Sequence, residues 1–191
     1  MTDCPIQAVV IGASAGAIEA LSQLLPALPA EYRLPVMIVV HVPHDRKSLL
    51  TELFRGKCQI KVMEAEDKEP GQGGVVYFAP PDYHLLVEAD HSLSLSSDEP
   101  VLYSRPSIDV LFESAADAYG AALLAVILTG ASQDGARGLA AVVSAGGAAV
   151  VLQPGEAYAA AMPMAAIARC PTARIMSLAE IGLYLQAVGK P

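Results

Sequence analysis

The sequence predicts an α/β fold: a three-layer α/β/α sandwich around a doubly wound, mostly parallel sheet, with an antiparallel hairpin at one edge. Three observations predict it. Short apolar runs such as Val36-Met37-Ile38-Val39-Val40 and Leu123-Leu124-Ala125-Val126-Ile127-Leu128 carry no polar residue, as strands covered on both faces require. These runs alternate with stretches of helical pattern, the rhythm of strand–helix–strand units joined by right-handed crossovers. The chain of 191 residues is 53% hydrophobic, enough for the core of one domain spanning 1–191, yet its apolar runs are too short to cross a bilayer as helices.

In chain order, a strand over 6–11 runs through Gly12-Ala13-Ser14-Ala15-Gly16 into a helix over 16–28, followed by a strand over 35–41, a helix over 46–55 and a strand over 59–64. The rhythm then breaks. Val75-Val76-Tyr77-Phe78-Ala79, His84-Leu85-Leu86-Val87-Glu88 and Leu93-Ser94-Leu95 are separated by Pro80-Pro81-Asp82 and Ala89-Asp90-His91, turn sequences that suggest an antiparallel meander extending the sheet. Alternation resumes with a helix over 107–119, a strand over 123–129, a helix over 136–145 and a strand over 148–152. Ser177-Leu178-Ala179-Glu180 has capping-box spacing at the start of a last helix. Met162-Pro163-Met164 reads as core filling at a helix start.

Composition narrows the function. A net charge of −8 argues against a large phosphate-binding surface and so against nucleic acid. Cys4, Cys58 and Cys170 form neither an even disulfide set nor a metal pattern, and the N-terminus carries no basic-then-apolar leader, which together point to the cytoplasm. His41, His44, His84 and His91 lack an HExxH or clustered Cys/His setting, so they read as hydrogen-bonding or surface residues rather than metal ligands. Glu64-Ala65-Glu66-Asp67-Lys68-Glu69 reads as a solvated loop.

Ligands of open parallel sheets bind at the carboxyl ends of strands. Three residues with useful chemistry fall there: Ser14 in a Gly-x-Ser-x-Gly turn, His41 after Val36–Val40, and Asp134 in Thr129-Gly130-Ala131-Ser132-Gln133-Asp134-Gly135. A serine, a histidine and a carboxylate on one edge are the parts of a nucleophile, its base and the base's orienting group. Each also has a plain structural use: Ser14 and Asp134 as helix caps, His41 as a core histidine satisfied by backbone. Their order, Ser-His-Asp, differs from the Ser-Asp-His order of α/β-hydrolases, so that fold is not implied. Backbone N–H groups at Ala15 and Ala131 are candidates to hold an oxyanion. Arg105, in Arg105-Pro106-Ser107-Ile108-Asp109, is a candidate for the substrate cleft at a turn before a serine-capped helix.

Taken together, Ile11-Gly12-Ala13-Ser14-Ala15-Gly16, Val40-His41-Val42-Pro43, Val76-Tyr77-Phe78-Ala79-Pro80, Arg105-Pro106-Ser107-Ile108-Asp109, Leu128–Ala136 and Ala161-Met162-Pro163 resemble, in order and over nearly the whole chain, the catalytic domain of the chemotaxis receptor methylesterases, CheB. The resemblance implies hydrolysis of glutamate γ-methyl esters on chemoreceptor signalling helices, often with deamidation of glutamines, without a cofactor or metal. It implies Ser14 as nucleophile, His41 as base and Asp134 as the histidine's partner. The family often has threonine at Ala15, glycine at Ala17, and methionine and glycine at Ala131 and Ser132, departures that bear on rate and substrate choice more than on reaction class. Most members carry an N-terminal receiver domain of a phosphorelay. The start of this chain close to the first strand suggests a stand-alone esterase domain, with a separate receiver protein in trans as the remaining route to such control.

Two other classes compete. The same three residues would serve a small-molecule carboxylesterase or amidase, and the substitutions at Ala15 and Ala131 would suit a binding module with a degraded site. The glycine turn as a phosphate cradle ranks well below the esterase, because Gly12-x-x-x-Gly16 lacks Gly-x-Gly-x-x-Gly spacing and no Walker lysine follows.

Overall fold

A computed structural model describes residues 4–41 and 49–190. Strands β1 (Ala8–Ala13), β2 (Val36–Val40), β3 (Lys61–Glu64), β4 (Val75–Phe78), β7 (Leu123–Ile127), β8 (Ala148–Leu152) and β9 (Arg174–Met176) form one sheet in the order β3-β4-β2-β1-β7-β8-β9. Every neighbouring pair is parallel. Strands β5 (His84–Val87) and β6 (Leu93–Ser96) form a separate antiparallel hairpin. The meander expected over 75–95 therefore divides. Its first run is fully buried and pairs in parallel between β2 and β3, while the other two form the hairpin, which packs on a helix instead of lengthening the sheet.

Helices cover both faces because alternate strand residues point to opposite sides. Val9, Ile11 and Ala13 of β1 share a core with α1 (Ala17–Leu24), α2 (Leu50–Arg55) and α6 (Leu178–Val188), through Leu21, Leu24, Phe54, Ile181 and Leu185. Ala8 and Val10 face α3 (Ile108–Tyr119), α4 (Ala136–Ser144) and α5 (Ala161–Arg169), through Leu111, Phe112, Leu139 and Met162. The helices read as one-faced: α1 buries Ala17, Ala20, Leu21 and Leu24, and α3 buries Ile108, Leu111, Phe112 and Ala115, at spacings of three and four. Leu85, Val87 and Leu93 of the hairpin join the second core.

Element bounds shift modestly from expectation. The predicted helix over 16–28 divides into α1 and a 3-10 turn at Leu25–Ala27, where Pro26 lacks the amide an α-helix would use. Of the Met162-Pro163-Met164 run, Met162 is buried but Met164 is exposed. The start of the helix expected over 46–55, and His44, lie outside the described residues. Among the described residues no helix is long and apolar enough to cross a membrane. No group of three or more His, Cys, Asp or Glu among them could hold a metal ion.

Candidate active site

β1 lies at the centre of the sheet between β2 and β7, where the chain's direction of travel across the sheet reverses. The crevice at such a switch point is where open parallel sheets bind ligands. Ser14 follows β1, His41 follows β2 and Asp134 lies in the loop after β7, all at the carboxyl edge.

Backbone bonds lock the serine turn. The Ser14 N–H donates to the Thr129 carbonyl at 2.8 Å, and the Ser14 carbonyl accepts from the Ala17 N–H at 2.9 Å. Thr129, itself buried, donates its hydroxyl to the Ala15 carbonyl at 2.9 Å and accepts the Ala159 N–H at 2.9 Å, pinning three loops together. Of the two glycines, only Gly16 bends the chain by left-handed geometry, with φ 84° at the start of α1. Gly12 sits inside β1, paired with Val39 and Ile127, and its missing side chain admits Ile108 of α3. The motif thus combines a turn glycine with a packing glycine. Gly130 works similarly: a Cβ there would come within 2.5 Å of Met162 Cε and 3.0 Å of Ser14 Cβ. The loop leading to Asp134 consequently passes against the serine.

The β1–β2 register pairs Ala13 with Val40, and the His41 N–H donates to the Ala13 carbonyl at 3.2 Å, so Ser14 and His41 leave adjacent strands side by side. His41 Nε2 lies 2.8 Å from Asp134 Oδ2. The histidine is 14% exposed and the aspartate fully buried. This leaves Nδ1 as the ring nitrogen not engaged by the carboxylate.

Asp134 does not cap α4, the helix it precedes. Gly135 occupies that cap with φ 94° and no side-chain hydrogen bond. The carboxylate instead reaches the start of α3. Its Oδ2 accepts the Ile108 N–H at 2.7 Å, and its Oδ1 accepts the Asp109 N–H at 3.0 Å and the Ser107 hydroxyl at 2.9 Å. Ser107 is the N-cap residue of α3 by backbone position, but its hydroxyl donates to Asp134 instead of capping the helix. Burial pushes the Asp134 carboxyl up, but its bonds to His41 and to the Asp109 and Ile108 amides outweigh that and hold it below the usual value. An ionised carboxylate facing an imidazole is what a general base requires behind it.

Sequence reasoning missed two contributors. His84, 2% exposed, accepts the Ser107 N–H on Nδ1 at 3.1 Å, and its Nε2 faces the Glu99 carbonyl at 3.1 Å, so the hairpin braces the α3 start. Since an N–H must be met by a bare nitrogen, these partners fix the tautomer protonated on Nε2. Thr129 is the other contributor. The Leu128-Thr129-Gly130 run contained it, but only the fold shows the three loops it joins. His91 stacks on Tyr119, away from the triad-like group.

Arg105 donates from Nη1 to the Ser97 and Asp98 carbonyls at 2.9 and 3.1 Å, tying the irregular segment that follows the hairpin to the turn before α3. Ala15 and Ala131 N–H groups have no hydrogen-bond acceptor among the described residues. A groove of about 500 Å³ opens beside the Asp134 loop, lined by residues that include Leu102, Gln133, Arg137 and Arg169.

A sequence model of the CheB methylesterase family matches residues 9–185. A Leptospira interrogans protein, provisionally named protein-glutamate methylesterase/protein-glutamine glutaminase, is 46% identical over 175 residues, which are 92% of this chain and 91% of that one. A Rhizobium johnstonii protein named protein-glutamate methylesterase/protein-glutamine glutaminase 2 is 37% identical over 91% of this chain but only 48% of its own length. The crystal structure of the Thermotoga maritima CheB methylesterase catalytic domain superposes with a TM-score of 0.91 at 29% identity, covering 96% of this chain and 98% of that one. The family match spans most of the chain, a 46% identical relative is covered nearly end to end, and the chain belongs to the CheB methylesterase family.

Proposed function

We propose that this protein hydrolyses glutamate γ-methyl esters on chemoreceptor signalling helices, with Ser14 as nucleophile, His41 as general base and Asp134 as the orienting carboxylate. The observation that carries the reading is the part-buried His41–Asp134 hydrogen bond, 2.8 Å long, on the strand end next to Ser14 in a chain of this family. Ser14 Oγ attacks the ester carbonyl as His41 Nδ1 takes the hydroxyl proton. The tetrahedral oxyanion meets the N–H groups of Ala15 and Ala131, and its collapse expels the methoxy group, which leaves as methanol with the proton from His41. Water, deprotonated by the same nitrogen, then opens the acyl-enzyme to free glutamate and restore Ser14. Asp134 remains ionised throughout and stabilises the transient imidazolium.

The same sequence with ammonia as leaving group deamidates glutamine, the second activity in the relatives' names. Chemoreceptor signalling helices lie in the cytoplasm, which is where the reading places the reaction. Methanol release from methylated receptor, with Ser14→Ala as control, tests the reading. Release that persists in Ser14→Ala, or turnover confined to small esters, would overturn it.

A further inference from the structure

Asp109, which the chemistry above does not use, has an arrangement that mirrors Asp134. It sits in the first turn of α3, 2% exposed. Its Oδ1 accepts the Gly135 N–H at 3.0 Å and the Gly138 N–H at 2.7 Å, the amides of the N-cap residue and of the first turn of α4. Asp134, just before α4, accepts amides of the first turn of α3. The two helices have exchanged caps: each one's N-terminal amides are held by a carboxylate belonging to the other, and each carboxylate's position depends on the other's bonds. Asp109 Oδ2 lies 3.7 Å from the Arg137 Nε, a group held more closely, at 2.6 Å, by Glu113.

Resting on the reading of Ser14, His41 and Asp134 as catalytic, we propose that Asp109 is a positioning residue: by gripping the Gly135 and Gly138 amides it fixes the loop from which Asp134 addresses His41. The Asp134 backbone is otherwise held only lightly, its own N–H accepted by the Ser132 hydroxyl at 3.3 Å. Gly135, at φ 94°, is the residue joining Asp134 to α4, so its N–H is the closest available handle on the carboxylate's direction. Asp109 acts through acceptor geometry. An amide oxygen at the same place can accept both N–H groups, while loss of the oxygen lets the loop drift, and a displacement of about 1 Å in such a group costs roughly 100-fold in rate.

The experiment compares Asp109→Asn with Asp109→Ala in the full chain. Active sites are counted by a phosphonylating probe, and kcat and KM are measured by methanol release from methylated receptor. The Asn variant is expected to keep turnover per active site within a few-fold of the parent, whereas Ala loses roughly 100-fold in kcat with KM little changed. The low-field imidazole proton resonance of the His41–Asp134 bond is expected in Asn and lost in Ala. If Ala does not fold, Asp109→Ser supplies the truncation. Unchanged kcat per titrated site in the truncated variant, or an Asn variant as poor as the truncated one, would overturn the proposal. A parent chain that the probe does not label at all would overturn instead the catalytic reading on which it rests.

Discussion

The N-terminus of α6 and the N-termini of α3 and α4 solve the same problem in opposite ways. At α6, the cap is local: the Ser177 hydroxyl accepts the Glu180 N–H at 3.3 Å and the Glu180 carboxylate accepts the Ser177 N–H at 2.8 Å. At α3 and α4 the caps come from residues 25 to 29 positions away, Asp134 and Asp109, and they are buried. A local cap stabilises its own helix and leaves no group over. An exchanged cap ties two loops at the sheet edge together and aims Asp134 Oδ2, which also accepts the Ile108 N–H, at His41. The site is built from the second kind of cap.

Variants separate the two kinds. The largest expected effect is on Asp134→Asn, which can still accept the Asp109 N–H and the Ser107 hydroxyl through its remaining oxygen but turns an NH2 group toward His41 and the Ile108 N–H. Turnover is expected to fall by about 10⁴-fold while the domain stays folded, read by methanol release and circular dichroism. Asp134→Ala adds a stability cost, because each buried N–H left without an acceptor costs about 1–3 kcal/mol, and denaturant titration would show it. Ser177→Ala is expected to cost about 1 kcal/mol of stability and leave kcat and KM unchanged. An equal loss of turnover in Ser177→Ala would erase the distinction.

Acid gives a finer test. Asp134 and Glu180 both lie below their ordinary values, Glu180 through its bonds to the Ser177 amide and hydroxyl. A depressed carboxylate contributes stability that is complete above its unfolded value, about 4, and is lost as pH falls through the lower folded value. Asp109 runs the other way: burial pushes it up, the Gly138 amide lowers it and the Asp134 charge raises it again. Its ionised form costs stability near neutral pH, and that cost is relieved on acidification. Asp134→Asn should therefore flatten the acid limb of the stability curve and Asp109→Asn should steepen it, as measured by denaturant midpoints across pH 2–6. The Glu180→Gln change is expected to be the smallest, since that side chain is fully exposed to solvent.

The same contrast explains what could be read from the chain. The α6 cap was legible because its two partners are three residues apart in sequence. The strand runs feeding Ser14 and His41 were legible because full burial leaves an uninterrupted apolar signature. Asp134 was legible as a residue but not as a cap for α3, because the fold alone brings 134 beside 107–109, and adjacency to α4 favoured the nearer helix. Gly12 was assigned to the turn when its need is the approach of Ile108, a contact without a local signal. The run at 75–78 was grouped with the hairpin because turn residues flank it, and its buried pairing between β2 and β3 is again non-local.

Covalent labelling tests the central claim most directly. A phosphonylating probe, mapped by mass spectrometry, is predicted to mark Ser14 alone, at similar rates in the parent and in Ser177→Ala, and far more slowly in Asp134→Asn. An adduct on another serine, or equal labelling rates in the parent and Asp134→Asn, would contradict it.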